Sequence, residues 1–155
     1  MAIEVYWLVP DHVGYLKFIG DITIEELRDA ANFWYDVLES TDSQLVHALH
    51  DGTPATSLPK NLNQVRAATN DALTHEHSGW TVSVGIGDSF MRFIALMVGK
   101  LTRMRQRILK DLDEGLVFLS EADESLPDLR QIDLTQIPLL KTFDYGEANK
   151  TPTPQ

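Results

Sequence analysis

The sequence predicts an α/β fold with a mixed, mostly parallel five-stranded sheet, an N-terminal β-hairpin and about four helices. Three observations support this. Two β-branched and aromatic runs surround a turn at the start, strand-like and helix-like segments then alternate, and capping residues precede most helix-like segments. Strands that alternate with helices form parallel sheets, because the helix carries the chain back to where the next strand begins. A length of 155 residues fits one domain.

The first elements follow from residues 1–40. Residues 3–9 and 13–19 flank a Pro-Asp-His turn and predict the hairpin. Thr23 and Glu26 have the spacing of a capping box, in which each side chain accepts a hydrogen bond from the backbone N–H of the other. Apolar residues then recur every three or four positions, which predicts one buried face of a helix.

The rest of the domain repeats strand and helix. We expect strands at residues 45–49, 80–86 and 104–109, and helices at residues 59–73, 88–101 and 111–122. The domain therefore spans residues 1–122. Residues 123–155 form a C-terminal extension that we expect to be partly packed, on this domain or on a partner. Its last residues, 147–155, are polar and rich in proline, which is typical of disorder.

Composition excludes several chemistries. The chain has no cysteine, which excludes disulfides, thiolate metal sites and a cysteine nucleophile. Its formal net charge of −10 disfavours a general binder of DNA or RNA, which needs a basic face for the phosphates. A dinucleotide-binding loop is not indicated, because Phe90 stands where a third glycine is needed after Gly85 and Gly87. We therefore expect no cofactor, no metal and no nucleic-acid partner.

No targeting segment is predicted. The N-terminus has no basic stretch, and Pro10 interrupts its apolar run, so we expect no secretory signal. Residues 90–98 form the most apolar window and fall well short of the roughly 20 apolar residues that cross a bilayer. We therefore expect a soluble, cytoplasmic protein.

The histidines are weak candidates for metal ligands. His47 lies on the strand predicted at residues 45–49 and His50 directly follows it, so the odd spacing turns their side chains to opposite faces. His75 and His77 could chelate from one loop, but the spacing places no third ligand beside them. Turn and surface histidines are the simpler interpretation of all four.

The segment around the third strand raises two further hypotheses. His50, Asp51 and Ser57 are an alternative catalytic set for a hydrolase, although the chain has no Gly-x-Ser-x-Gly elbow. Thr56 and Ser57 precede a predicted helix, where the helix dipole favours the charge of a phosphate, so they are candidate phosphoacceptors. Simple capping of the helix is the other interpretation of these hydroxyls. We expect the protein not to be an enzyme.

Positive charge is concentrated in one segment. Residues 92–110 carry six cations and no acid, whereas the remaining chain carries seven cations and all 23 acids. Arg103, Arg105 and Arg107 are two residues apart and would emerge from one face of the predicted strand. This basic face suits an anionic partner surface or acidic lipid headgroups, unless acids elsewhere in the fold neutralise it.

The helix beside this basic strand is apolar. Its residues Phe90, Phe93, Met97 and Leu101 recur at helical spacing. Beside the basic strand, they are candidates for a membrane-binding face. The other interpretation is a helix that covers the core of the sheet.

Several motifs follow one another in a characteristic order, at residues 20–27 after two opening strands, then 82–87, 90–94, 103–108 and 113–119. This order resembles that of SpoIIAA-like proteins, which belong to the wider STAS superfamily that includes anti-sigma-factor antagonists. Together the motifs cover about residues 1–120. The resemblance implies a non-catalytic, regulatory α/β domain that binds a protein partner. The SpoIIAA-like group is also associated with lipid-like ligands and membrane surfaces. This implies a lipid-like or fatty-acid-like apolar ligand, or a membrane surface, for the helix that carries Phe90, Phe93, Met97 and Leu101. A homodimer is an open alternative.

Two features of the sequence depart from the pattern of the SpoIIAA-like group. Regulatory STAS antagonists carry a phosphorylated serine in an Asp-Ser-Ser-Gly stretch after the third strand. Residues 51–58 contain no such stretch, and Ser57 is the nearest candidate. Gly115 stands where the family tends to have alanine, at a position inside a helix where glycine costs roughly 1 kcal/mol.

Overall fold

The computed structural model describes residues 1–102 and 104–145, with the backbone alone of Phe90. This part of the chain forms seven β-strands, four α-helices and one short 3₁₀-helix. The strands are β1 Ala2–Val9, β2 Val13–Asp21, β3 Val46–Asp51, β4 Ala55–Ser57, β5 Ser78–Val84, β6 Gln106–Leu109 and β7 Leu139–Phe143. The helices are α1 Ile24–Ser40, α2 Leu62–Leu73, α3 Ser89–Thr102 and α4 Leu112–Ala122, and the 3₁₀-helix is Leu129–Gln131.

The strands form one mixed sheet in the order β6-β5-β3-β2-β1-β7, with β4 paired to the end of β2. β2, β3, β5 and β6 run parallel, whereas β1 is antiparallel to both β2 and β7. The predicted α/β class and N-terminal hairpin are therefore confirmed. The sheet contains two strands beyond the five expected, β4 and β7. Both are short and lie close to prolines, so neither has a clear strand pattern in the sequence.

The capping box predicted at the start of α1 is present. Thr23 Oγ1 accepts a hydrogen bond from the N–H of Glu26 at 3.1 Å, and the Glu26 carboxylate accepts one from the N–H of Thr23 at 2.8 Å. The carboxylate is fully buried and also accepts the N–H of Tyr145 at 3.1 Å. Burial raises the pKa of Glu26, but the bonds from Thr23 and Tyr145 outweigh it and leave the pKa lowered. One buried acid thus ties the start of α1 to the chain after β7.

Helices cover both faces of the sheet. α1 and α2 lie on one face, over a core that includes Phe18 and Trp34. α4 and the 3₁₀-helix lie on the other face, over a core that includes Leu49 and Leu119. A third, smaller cluster joins α2 to α3. α3 therefore sits beside α2, above the end of the sheet formed by β5 and β6.

The chain after α4 folds back on the domain. β7 pairs with β1 in a register that runs from Ile3 opposite Phe143 to Tyr6 opposite Leu139. Leu129 is buried in the core beneath α4. The division of the chain at residue 122 stays a prediction. Residues 147–155, which the sequence predicts to be disordered, lie outside the described residues.

Candidate functional site

A cavity of about 130 Å³ lies beneath α3, on the face of the sheet that α2 also covers. β3 and β5 form its floor, and α2 and α3 form its walls. Most of its lining is apolar, and the apolar lining residues are Phe18, Leu27, Leu58, Pro59, Val65, Leu73, Ile86, Met91, Ile94, Ala95, Val98 and Met104.

The floor of this cavity is made of short side chains. Thr81 and Ser83 of β5 share this face of the sheet with His50, which is the register partner of Ser83 on β3. A longer apolar side chain at either hydroxyl position would extend into the space. Gln106 of β6 anchors α3 above the floor, because its amide donates a hydrogen bond to the carbonyl of Ala95 at 2.7 Å.

We call His50, Thr81 and Ser83 the polar row. Thr81 is 3% exposed and Ser83 is 7% exposed, yet neither hydroxyl has a hydrogen-bond partner among the described residues, and the same holds for the His50 ring. In this part of the chain, no fully enclosed side-chain nitrogen or oxygen is without a partner. The polar atoms of the row must therefore reach the open space of the cavity, where a bound molecule could meet them.

The site offers hydrogen bonds but no charge. Burial lowers the pKa of His50 from 6.5 to about 4, so its imidazole is neutral at pH 7. A neutral imidazole has one N–H donor and one acceptor nitrogen. The His50 ring lies edge-on to Phe18, with 5.5 Å between the ring centroids. The described lining residues include no aspartate, glutamate, lysine or arginine.

The outer face of α3 is apolar and exposed. Phe93 is 52% exposed, Leu96 46% and Leu101 42%. Met97 is partly buried, and the side chain of Phe90 lies outside the described residues. Of the apolar set predicted for this helix, Phe93 and Leu101 therefore face solvent. Within the described chain, neither α3 nor any other helix is long and apolar enough to cross a bilayer.

Exposed cations lie on α3 and along the chain that follows it to the start of α4. Five of the six predicted cations are described, and all five are exposed, namely Arg92, Lys100, Arg105, Arg107 and Lys110. None of them forms an ion pair with a described residue. The guanidinium of Arg107 lies over the ring of Phe118, 5.0 Å from its centroid. Arg107 therefore faces α4, on the other side of the sheet from α3. We call these five cations together with Phe93, Leu96 and Leu101 the α3–β6 surface.

The basic strand is shorter than predicted. β6 begins at Gln106, so Arg107 lies on the strand and Arg105 precedes it. Arg103 lies outside the described residues. Arg105 and Arg107 are both solvated, and no acid of the described chain neutralises them.

The two candidate phosphoacceptors share one carboxylate. Thr56 Oγ1 and Ser57 Oγ donate hydrogen bonds to Asp21 Oδ1 at 2.5 and 2.9 Å. β4, which contains both residues, pairs with the end of β2 and thereby holds the hydroxyls at Asp21. Phosphorylation of either hydroxyl remains a prediction. It would place a phosphate beside a carboxylate, where like charges repel.

The alternative hydrolase set does not converge. His50 belongs to the cavity face, whereas Asp51, its neighbour on β3, accepts a hydrogen bond from Tyr15 Oη at 2.5 Å on the opposite face. Asp51 also accepts the N–H of Thr53 at 2.9 Å. Ser57 is bonded to Asp21 instead of His50. This geometry provides no base-to-nucleophile contact for a hydrolase.

Two other histidines have structural partners. His47 Nδ1 accepts the N–H of Trp80 at 2.9 Å, which leaves Nε2 as the donor to Asp123 at 2.9 Å. His75 Nε2 lies 2.7 Å from a carboxylate oxygen of Glu39. Among the residues that the structure describes, no group of three or more histidines and acids could hold a metal ion.

Sequence reasoning identified α3 but missed the residues that line the cavity. Met91, Ile94 and Val98 form the inner face of α3, opposite the exposed side chains singled out from the sequence. Thr81 and Ser83 were missed because they alternate with valines and resemble the solvent side of a strand. A signal that could have found them is the predicted parallel sheet. Because helices cover both faces of such a sheet, its central strands are usually apolar throughout, and polar residues that alternate with valines are unusual there.

Comparison with known proteins places the fold. No family profile matches the sequence, and no curated protein matches it. A solved protein from Shewanella loihica PV-4, described as an uncharacterised DUF3478 family member with a SpoIIAA-like fold, aligns with a TM-score of 0.53 and 18% sequence identity. The alignment covers 76% of this chain and 91% of that chain.

The second structural relative is the anti-sigma factor antagonist SpoIIAA in its unphosphorylated form. It aligns with a TM-score of 0.54 and 6% identity, over 78% of this chain and 97% of that chain. The protein therefore has a SpoIIAA-like fold, as the order of its sequence motifs predicted.

Proposed function

We propose that the protein is a non-catalytic binding module that holds a small apolar molecule in the cavity beneath α3. The observation that carries this proposal is the polar row, three hydrogen-bonding side chains without partners in the described chain, on the floor of an otherwise apolar space. Sites for small molecules combine mostly apolar walls with a few placed polar groups. The separation of His50, Asp51 and Ser57 supports binding without catalysis.

The size of the cavity also supports a ligand. An apolar cavity of about 150 Å³ in another protein is large enough to bind benzene. A space of about 130 Å³ is therefore close to the volume of one aromatic ring or a short alkyl chain.

Native mass spectrometry of the purified protein tests this proposal. We expect an added mass from an apolar molecule that is lost on organic extraction. Ala95→Leu should abolish the added mass, because Ala95 lines the cavity and a leucine would extend into it. Leu96→Ala is the matched control, since Leu96 points outward from the same helix and its change should leave the added mass intact. Repeated spectra of the bare protein, also after incubation with toluene, would contradict the proposal.

A second candidate function is binding of a protein partner, which a domain like the SpoIIAA antagonist would do. The observation that favours it is the α3–β6 surface, which combines exposed apolar side chains on α3 with five exposed cations that form no ion pair within the described chain. The charged residues of this surface are all cations, so it complements an acidic protein surface. Exposed apolar side chains rimmed by polar residues are typical of interaction sites, and Arg92 and Lys100 lie beside the apolar side chains on α3.

Charge reversal tests this second function. The double variant Arg105→Glu/Arg107→Glu should lose binding to poly-L-glutamate, used as an acidic peptide probe. The control variant Lys60→Glu/Lys141→Glu changes charge equally at exposed positions outside the surface and should retain it. Binding to phosphatidylserine vesicles that depends on Phe93, without binding to the peptide, would instead indicate a membrane surface. Equal loss in both double variants would contradict the assignment to this surface.

A further inference from the structure

The polar row identifies the class of molecule that the cavity accepts. We propose that the cavity selects an uncharged molecule with one hydroxyl group and an apolar body about the size of an aromatic ring. This inference rests on the proposed binding function and specifies its ligand.

The lining disfavours an anionic ligand. No lysine or arginine is among the described residues that line the cavity, so a buried carboxylate would find no charged partner there. Burying an unpaired charge is far more costly than burying a neutral polar group. The ligand class therefore differs from the fatty-acid-like anion that the sequence suggests.

The floor disfavours a purely hydrocarbon ligand. Such a molecule would cover the hydroxyls of Thr81 and Ser83 and the ring of His50 and offer them no hydrogen bond. A buried polar group that loses its partner carries a penalty. A ligand hydroxyl can donate and accept, as each member of the polar row can.

The register brings the polar atoms to one place. His50 and Ser83 are direct partners across β3 and β5, and Thr81 lies two residues before Ser83 on the same face. Partners across a sheet have side chains about 5 Å apart. One hydroxyl can therefore bond to two members of the row while its apolar body lies toward Ile94 and Val98.

Two pairs of probes of similar shape test this inference by isothermal titration at pH 7.5. Phenol carries a hydroxyl group where toluene carries a methyl group, and benzoate is negatively charged where benzamide is neutral. We expect phenol to bind about two- to tenfold more tightly than toluene, which is the range of one net hydrogen bond. We expect benzoate to bind more than about tenfold more weakly than benzamide, because its charge is unpaired.

Variants of the row connect the preference to these residues. Ser83→Ala and Thr81→Val should bring the affinity ratio of phenol to toluene close to one, with toluene binding retained. Thr69→Val is the matched control. Thr69 also lines the cavity, but its hydroxyl already donates to the carbonyl of Val65 at 2.8 Å, so the ratio should not change. Circular dichroism melting of each variant establishes that it is folded.

The outcomes separate the two proposals. Equal affinity for phenol and toluene, or for benzoate and benzamide, would overturn the ligand class while leaving a cavity that binds small molecules. Failure of all four probes to bind would overturn the binding function and this inference with it.

Discussion

Replacing His50 by leucine should make the free energy of unfolding less sensitive to acid. The folded protein holds the pKa of this histidine at about 4, against 6.5 for the free side chain, because the ring is desolvated beside the cavity. Between these two values the unfolded chain binds a proton that the folded chain does not. Stability therefore falls as the pH drops from about 6.5 to about 4, and this loss is absent without the histidine.

The expected magnitude follows from the two pKa values. A shift of one pKa unit corresponds to about 1.4 kcal/mol, so the full loss is about 3 kcal/mol and most of it is reached at pH 4.5. Water in the cavity would reduce this loss of stability. Between pH 7 and pH 4.5, we expect the free energy of unfolding to fall by about 1–2.5 kcal/mol more in wild type than in His50→Leu.

Urea denaturation at both pH values measures this quantity. The acids of the chain affect both proteins equally, so the difference between wild type and variant isolates His50. His12→Leu is the control for the loss of a histidine at an exposed position. An acid dependence of His50→Leu equal to that of wild type would refute the reasoning, since His50 would then be solvated like a free side chain.

Three further predictions concern packing and hydrogen bonds. Glu26→Gln should lower the free energy of unfolding by about 1–3 kcal/mol in chemical denaturation, because it removes the buried carboxylate that accepts the N–H groups of Thr23 and Tyr145. An unchanged denaturation midpoint would contradict this. Gly115→Ala should destabilise the folded protein by about 1 kcal/mol although alanine has the better helix propensity, because the new methyl group would lie 2.8 Å from Val84 Cγ1. Gly87→Ala is the control, since its methyl group meets open space. A higher melting temperature of Gly115→Ala would exclude a tight contact. His47→Phe should also destabilise, because the N–H of Trp80 loses its acceptor, and unchanged hydrogen exchange at that amide would count against it.

Much of the fold could be predicted because its signals are local. The capping box of Thr23 and Glu26 lies within four residues, and the helical spacing in α3 is complete within the helix. β7 has no such signal, since its pairing with β1 joins segments more than 130 residues apart. Gly115 is similar: its departure from alanine was visible, but its close approach to Val84 and Leu49 depends on how α4 packs on the sheet.

The candidate site was harder to predict for a physical reason. A cavity forms where side chains do not fill the space between packed elements. Its size here depends on the distance at which Gln106 and the side chains of α2 hold α3 from the floor. The sequence indicates an amphipathic helix without indicating which of its faces meets a space. It also shows Thr81 and Ser83 as polar strand residues without showing that a helix covers them.

Binding of toluene followed by methyl NMR tests the central claim most directly, because it reports where an apolar molecule goes. The claim predicts shifts at the methyl groups of Ile94 and Val98, which line the cavity, and none at Val46, which is buried in the core beneath α1. Ala95→Leu should remove these shifts. Absence of any shift in wild type at saturating toluene, or equal shifts at Val46, would contradict a binding site beneath α3.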